Sequence, residues 1–339
     1  MINQINYYLY KLTRIIYRTY KNLKRLKSIQ KIFLLFLVLT FLFIIVNNFG
    51  NSVKPYNYEG FENGKLNILD ESNFFEIKRD MSMYDDFYSN YYDSIHLNQK
   101  KNNYEIGKVI GLEKKNKFTK ILDVGCGTGN HVDLLNKKSY DVIGIDKSKS
   151  MIKKANTNYP KCEFIKGDFL KGDVLDYNSF SHVMCLGRTI YLLKDKDKFF
   201  ENCHTLLMDN GLLILNLVNK DKFNPYIINN KKVLFDSGDY GKQPKQHIVK
   251  FSNDFEYVSD YVVNEQHNDY KNPNVPYATY KEKFENFKTH SVRKNELNMY
   301  MLSIDEIVSK ALAKGFELKE KINMKDGGFV NDFLYVFKK

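Results

Sequence analysis

From residue 118 onward, short apolar runs alternate with segments of helical period. The apolar runs have the length of buried strands, and the segments between them place apolar residues on one face. Such alternation predicts an α/β domain with a parallel sheet covered by helices on both faces. The predicted strands are 119–125, 140–146, 162–168, 181–187 and 211–218, and the predicted helices are 131–138, 150–157 and 195–210.

The last forty residues repeat this alternation and then end it. Ser303 followed by Glu306 has the spacing of a capping box, which predicts a helix start, and Gly315 predicts its end. The apolar segments 316–322 and 332–339 follow, separated by a turn-forming Asp-Gly-Gly. They are expected to pair as an antiparallel hairpin that closes the sheet.

Two other regions depart from the α/β pattern. Residues 222–300 form an insertion in which 247–263 and 277–292, rich in Tyr, Phe and Val, are typical of antiparallel strands. The insertion is large enough to cover a site as a flap. Residues 81–95 are aromatic and acidic, and with the insertion they are expected to line an apolar acceptor pocket.

The first eighty residues have a different character. Residues 32–49 are almost entirely apolar and just long enough to span a bilayer, which favours an uncleaved single-pass anchor over a core helix or a cleaved signal peptide. A basic juxtamembrane tail, 1–31, precedes them, and a linker, 50–80, follows. The globular domain is therefore expected over 81–339. The basic tail is expected to be cytosolic by the positive-inside rule.

Charge and cysteine content narrow the function classes. The net charge is +12, but residues 1–31 carry eight Lys or Arg and no acid, so the other 308 residues carry about +4. This balance gives little support to a nucleic-acid partner. The four cysteines show no CxxC pairing, which indicates neither a zinc site nor a disulfide framework.

Three glycines directly follow the first predicted strand, at positions 125, 127 and 129. Glycines at the carboxyl end of a strand let backbone N–H groups approach a ligand. Asp146 and Asp168 end the next two predicted strands, so they are expected at the same sheet edge, where Asp146 is suited to ribose hydroxyls. A dinucleotide site has G-x-G-x-x-G spacing, whereas the spacing here is G-x-G-x-G. In addition, Asp123 precedes the glycines, and its negative charge would repel a pyrophosphate but attract a cationic group. A nucleoside ligand with a positive centre is therefore predicted.

Four stretches resemble class I S-adenosylmethionine-dependent methyltransferases: ILDVGCGTGNH, VIGIDKSKSMIKKA, KGDF and LLMDNGLLILNLV. The resemblance covers about 84–220 and resumes at 300–338. It implies a Rossmann-like sheet of seven strands, mostly parallel, with an antiparallel last strand. Two motifs depart from the family: Asp-Asn-Gly stands where Pro-Gly-Gly is usual, and no N-P-P-Y-like motif follows the fourth strand, which disfavours methylation of adenine or cytosine.

The resemblance also assigns cofactor-binding residues. Asp123 and the glycines would hold the methionine end, Asp146 the ribose, and Asp168 with Phe169 the adenine edge. Cys126 is expected to be a small filler rather than a nucleophile. The complete predicted set is Asp123, Gly125, Cys126, Gly127, Gly129, Asp146, Lys147, Met151, Gly167, Asp168, Phe169, Cys185 and Leu186.

The sequence therefore predicts a membrane-anchored enzyme that uses S-adenosylmethionine to methylate a small molecule, a lipid or a protein. Two alternatives stay open, an inactive scaffold that keeps the fold and an RNA methyltransferase. No metal site and no catalytic base are identified. The side of the membrane occupied by the catalytic domain is also open, because the positive-inside rule sends it away from the cytosol, where the cofactor is made.

Overall fold

The computed structural model describes residues 75–172, 175–222, 235–236, 245–251, 255–264 and 276–339. The predicted basic tail, the predicted transmembrane helix and residues 50–74 of the predicted linker lie outside these residues. Among the helices that are described, none has the length and apolar character needed to cross a bilayer.

The seven-stranded sheet predicted from the family resemblance is confirmed. Its strand order is β12-β13-β6-β5-β2-β3-β4. Pairs from β6 to β4 are parallel, whereas β13 runs antiparallel to both β6 and β12. Its strands are β2 (Lys120–Val124), β3 (Asp141–Asp146), β4 (Glu163–Lys166), β5 (Phe180–Cys185), β6 (Leu207–Val218), β12 (Glu317–Asn323) and β13 (Asp332–Lys338).

Helices cover both faces of this sheet, as the apolar pattern predicted. Neighbouring residues along each strand point to opposite faces, and both faces are buried, which explains why the strands are apolar without alternation. Ile121 belongs to one apolar cluster, and Leu122 belongs to the other. The helices are α1 (Asp86–His96), α2 (Gln99–Gly111), α3 (Asn130–Asn136), α4 (Lys149–Asn158), α5 (Lys196–Leu206) and α6 (Ile304–Ala313). The predicted capping box of α6 is present between Ser303 and Glu306.

One predicted boundary is wrong. The helix expected over 195–210 ends at Leu206, and Leu207–Asn210 already belong to β6. Leu207 pairs with Phe180 of β5 and is fully buried. Burying this leucine in the sheet is favoured over continuing the helical period, because the helix would carry it away from the strand it pairs with.

A second sheet contains the predicted insertion strands and is larger than expected. Its order is β1-β11-β10-β9-β8-β7, antiparallel except for the parallel pair of β1 with β11. The edge strand β1 comes from the end of the predicted linker, so this segment joins a sheet formed mostly by the insertion. The strands are β1 (Phe75–Arg79), β7 (Phe235–Asp236), β8 (Lys245–Phe251), β9 (Phe255–Val263), β10 (Ala278–Asn286) and β11 (Val292–Met299).

Candidate active site

The glycine turn after β2 is confirmed as a backbone that only glycine adopts easily. Gly125, Gly127 and Gly129 have φ angles of 73°, 55° and 88°. A Cβ on Gly129 would lie 2.5 Å from Phe164, so this glycine is required for packing. A Cβ on Gly127 would meet only Tyr92, at 3.9 Å, and would project into a pocket. Gly127 therefore marks the open face of the turn, where a ligand can approach the backbone.

The carboxyl ends of β2, β3 and β4 meet at this turn. The backbone N–H groups of Gly125 and Cys126 donate to the carbonyl oxygen of Ile145, at 2.8 and 3.1 Å. The N–H of Gly127 donates to Oδ2 of Asp146 at 3.0 Å, and the N–H of Gly167 donates to the backbone carbonyl of Asp146 at 3.0 Å. The strand tips that carry Asp123, Asp146 and Asp168 thus share one edge of the sheet, as the sequence predicted.

Asp123 has the most unusual environment of these carboxylates. Its side chain is buried and borders the pocket, and its Oδ2 atom has no hydrogen-bond partner among the described residues. Burial is the largest cause that raises the pKa of Asp123, to about 6, although the nearby imidazole of His131 acts in the opposite direction. A buried anion without a partner is costly, so a cation that reaches this oxygen is stabilised. The ammonium group of an amino acid fits this requirement.

The predicted ribose and adenine residues lie at the same edge, outside the pocket lining. Asp146 is bonded to the N–H groups of Gly127 and Ser148, and burial raises its pKa. Asp168 pairs with Lys147 at 2.8 Å and accepts from the N–H of Leu170, and these contacts outweigh burial and lower its pKa.

The apolar members of the predicted site are covered by protein. Met151 and Phe169 are buried, Met151 within an aromatic cluster that includes Tyr88 and Tyr257. Cys185 is fully buried at the end of β5, whereas Leu186, which follows it, borders the pocket. Cofactor contact by these residues stays a prediction.

The cysteine at the glycine turn has the properties of a filler. Cys126 is buried, and its Sγ would lie 2.8 Å from a Cβ on Gly144 of the neighbouring strand. Burial, followed by the charges of Asp146 and Asp123, raises the pKa of the Cys126 thiol well above its usual value. The thiol therefore stays protonated at neutral pH, which removes it as a nucleophile.

The opposite wall of the pocket is built by α1 and the second sheet. Three of the four tyrosines in the predicted aromatic segment line it, Tyr84, Tyr88 and Tyr92, whereas Tyr91 packs on Phe87 and Phe255. The second sheet contributes Tyr261, Tyr280, Leu297 and Met299. Insertion and aromatic segment thus border the same pocket as the glycine turn.

A polar cluster in this wall was not predicted from the sequence. Glu282 of β10 is buried and accepts hydrogen bonds from the hydroxyls of Tyr88 and Tyr257, at 2.9 and 2.7 Å, and from Asn295 at 3.0 Å. His96, the last residue of α1, places Nε2 3.3 Å from the same carboxylate and borders the pocket.

A sequence signal for Glu282 exists. Positions 278, 280, 282 and 284 share the inward face of β10, and Glu282 is the acid among Ala, Tyr and Phe. A carboxylate at an inward strand position requires partners, which points to a polar cluster. His96 had no comparable signal, because the partners that define its role come from a segment almost 190 residues away.

Arg188 borders the pocket at the end of β5, with a left-handed backbone (φ 69°) directly after Gly187 (φ 59°). Thr189, which follows, packs against Gly125 of the glycine turn. The segment after the fourth parallel strand therefore closes over the glycine turn. Within the described residues, no group of three or more His, Cys, Asp or Glu side chains is arranged to hold a metal ion.

Comparison with known proteins agrees with this geometry. Residues 121–211 match the family model of a methyltransferase domain. A glycine/sarcosine N-methyltransferase of Parasynechococcus marenigrum (strain WH8102) is 32% identical over 120 residues, which is 33% of this chain and 43% of that protein. The chain spans less than half the length of the curated relatives that match it first.

Two solved structures have the same fold. The CcbJ methyltransferase of Streptomyces caelestis has a TM-score of 0.53 at 14% identity, and the match covers 71% of this chain and 95% of that one. S-adenosylmethionine-bound CalS10, an amino pentose methyltransferase of Micromonospora echinaspora, has a TM-score of 0.50 at 16% identity, covering 82% and 99%. Residues 121–211 therefore match a methyltransferase domain, and the chain shares its fold with a methyltransferase of known structure that binds S-adenosylmethionine.

Proposed function

We propose that this chain transfers the methyl group of S-adenosylmethionine to a small-molecule, lipid or protein acceptor that binds beneath the second sheet. The observation that carries the proposal is the buried Oδ2 of Asp123, which borders the pocket and lacks a hydrogen-bond partner within the part of the chain that the structure describes. An ammonium group at this oxygen resolves the cost of the buried charge. Bound S-adenosylmethionine supplies an electrophilic methyl group on a sulfonium.

Different residues around the pocket bind the cofactor and exclude water. Asp123 and the open backbone at Gly127 hold the amino-acid end, and Asp146 is suited to the ribose hydroxyls after its bond to Gly127 is exchanged. The tyrosines of α1 and the second sheet exclude water from the reacting groups. Methyl transfer then depends mainly on holding the nucleophile in line with the methyl group.

Cofactor binding is tested by calorimetry on the full chain. The wild type is expected to bind S-adenosylmethionine, and Asp123→Asn is expected to weaken binding about 10- to 100-fold, because a charge-assisted hydrogen bond is lost. Asp209→Asn, at an exposed position near the start of β6, is the matched control and should bind as the wild type does. Absence of heat with the wild type would support the inactive scaffold instead.

The acceptor is sought by incubating the full chain with labelled S-adenosylmethionine and separate pools of metabolites, lipids, peptides and RNA. Label in the first three pools supports the proposal. Label in RNA, with binding that weakens steeply as salt rises, would favour the nucleic-acid alternative.

The membrane attachment is part of the same proposal. It is supported by the apolar run 32–49 beside the basic tail 1–31. The expressed full chain should stay with the membrane fraction after washing at high salt and at alkaline pH, and detergent should release it. Release by salt alone would reduce the attachment to electrostatic surface binding.

A further inference from the structure

The two ring nitrogens of His96 have different surroundings. The side chain is 15% exposed and borders the pocket. Nε2 lies 2.8 Å from the hydroxyl of Tyr88 and 3.3 Å from Oε1 of Glu282. No described residue forms a hydrogen bond with Nδ1. One edge of the imidazole is therefore anchored, and the other is available to a molecule in the pocket.

The hydrogen-bond pattern decides which nitrogen carries the proton. Tyr88 donates its single hydroxyl proton to Glu282. With this proton donated to Glu282, Nε2 faces two oxygen atoms that accept, and we assign the proton of the neutral ring to Nε2. Nδ1 then holds the lone pair. This is the arrangement of a general base that is oriented by a carboxylate.

Charged and polar groups from several elements face the imidazole of His96. Burial opposes ionisation of Glu282, but hydrogen bonds from His96, Tyr257 and Asn295 outweigh it and lower the pKa of this carboxyl. Asp93 is a second carboxylate near His96: burial raises the pKa of Asp93, and the charge of His96 is one of the causes that lower it. The rings of Tyr88, Tyr92 and Tyr280 also contact the imidazole ring. The positive charge of Arg188 lies close enough to Tyr92 and Tyr280 to act on the pKa of both phenols in the direction opposite to burial.

His96 also lies near the glycine turn. Tyr92 separates the two: its ring centroid is 4.8 Å from that of His96, and its Cε1 would lie 3.9 Å from a Cβ on Gly127. A second histidine–carboxylate pair, His131 with Glu105, borders the same pocket at 3.1 Å. Lys101 also pairs with Glu105, and the charge of His131 acts on Asp123. The His131–Glu105 pair therefore lies at the end of the pocket where the amino-acid part of the cofactor is proposed to bind.

We propose that His96 is a catalytic residue that accepts the proton of the acceptor, and that Glu282 is its positioning residue. The inference rests on the proposed function. The acceptor nitrogen or oxygen gives its lone pair to the new bond with the methyl carbon, and the carbon–sulfur bond breaks with its electron pair left on sulfur. The acceptor proton passes to Nδ1, which leaves an imidazolium ion paired with Glu282. The acceptor is therefore an amine or a hydroxyl that carries a proton.

The accessibility of Nδ1 is tested without any cofactor. Diethyl pyrocarbonate, which reacts with unprotonated imidazole nitrogens, is added to the full chain near pH 7, and the modified peptides are mapped by mass spectrometry. His96 should be modified, with partly exposed His204 as internal reference. Modification of His204 with an unreacted His96 would overturn the assignment.

The catalytic role is tested with His96→Ala, Glu282→Gln and the control His204→Ala. The probes are the acceptor from the screen and two generic nucleophiles, benzylamine and catechol, which separate amine from hydroxyl chemistry. His96→Ala should lower kcat roughly 10²- to 10⁴-fold, with an unchanged Kd for S-adenosylmethionine. Added imidazole should restore part of this rate, which a purely structural role does not predict. His204→Ala should retain the wild-type kcat.

Glu282→Gln should lower kcat less and move the acidic limb of the pH–rate profile to lower pH, because loss of the carboxylate destabilises the imidazolium ion. An unchanged kcat in His96→Ala, or a loss that imidazole does not restore, would overturn the base assignment alone. Failure of the wild type to bind S-adenosylmethionine would instead overturn the proposed function.

Discussion

At the scale of single residues, the pKa of Asp123 links cofactor binding to pH. The carboxyl has a pKa of about 6 before the cofactor binds, and the ammonium requires the ionised form. Affinity for S-adenosylmethionine therefore falls as pH decreases from 7 through 6, while the ligand's amino group stays protonated. Between pH 7 and pH 5 the Kd should rise about tenfold. Calorimetry over this range measures it, and Asp123→Asn should show a smaller dependence.

The glycines of the turn are expected to differ in what they protect. Gly129→Ala places a methyl group against Phe164 at φ 88°, so it should destabilise the fold by about 1–3 kcal/mol. Gly127→Ala meets no close neighbour and should cost less stability, but its methyl group enters the pocket and should weaken cofactor binding roughly tenfold. Denaturant unfolding and calorimetry on both variants separate the effects. Equal losses of affinity with equal stabilities would contradict this division.

At the scale of elements, the first turn of α1 connects the pocket wall to the second sheet. Asp85 caps α1 by accepting from the N–H of Tyr88 at 3.0 Å. It also receives two hydrogen bonds from Arg293 of β11, at 3.0 and 2.8 Å, and the guanidinium donates to the carbonyl of Met83 at 2.9 Å. Arg293 is 7% exposed, so this pair holds a buried charge between the helix and the sheet.

Asp85→Ala should therefore destabilise the protein by about 2–4 kcal/mol, since it removes a helix cap and leaves Arg293 with only the more distant Glu76, at 3.8 Å. Asp86→Ala is the control, because Asp86 is exposed and its contacts with Ser150 and Lys153 lie at the surface of the helix. Chemical denaturation of both variants measures the difference. Similar midpoints for the two would mean that the Arg293 contact contributes little.

At the scale of the whole molecule, a buried cation joins distant parts of the chain. Lys101 of α2 donates to Asp332 of β13 at 2.7 Å and to Asn216 of β6 at 3.3 Å, and it lies 3.7 Å from Glu105. Lys101 is only 7% exposed. The cluster fixes α2, which borders the pocket, against the antiparallel edge of the central sheet.

Lys101→Met should destabilise the fold by about 3–5 kcal/mol, because it removes the cation that pairs with buried Asp332 and leaves Glu105 with His131 alone. The neighbouring Lys100→Met, on the exposed side of α2, is the control and should leave the unfolding midpoint near that of the wild type. If both variants unfold alike, the cluster is not a main support of the fold.

The sequence by itself determined the central sheet, its flanking helices and the edge where Asp123, Asp146 and Asp168 meet. These features follow from local patterns: apolar runs, a capping box, and glycines directly after a strand. The boundary of α5 was misplaced because the pairing of Leu207 with β5 is a long-range contact that overrides a local period.

Only the tertiary structure decided the opposite wall of the pocket. His96 and Glu282 are 186 residues apart, and no local sequence pattern around either residue predicts their contact. Their contact depends on how the second sheet covers α1. The packing of the sheet on this helix buries Glu282, and a buried carboxylate requires hydrogen-bond or charge partners. The unpartnered state of Asp123 arises in the same way, because whether a buried oxygen lacks a partner depends on every element packed around it.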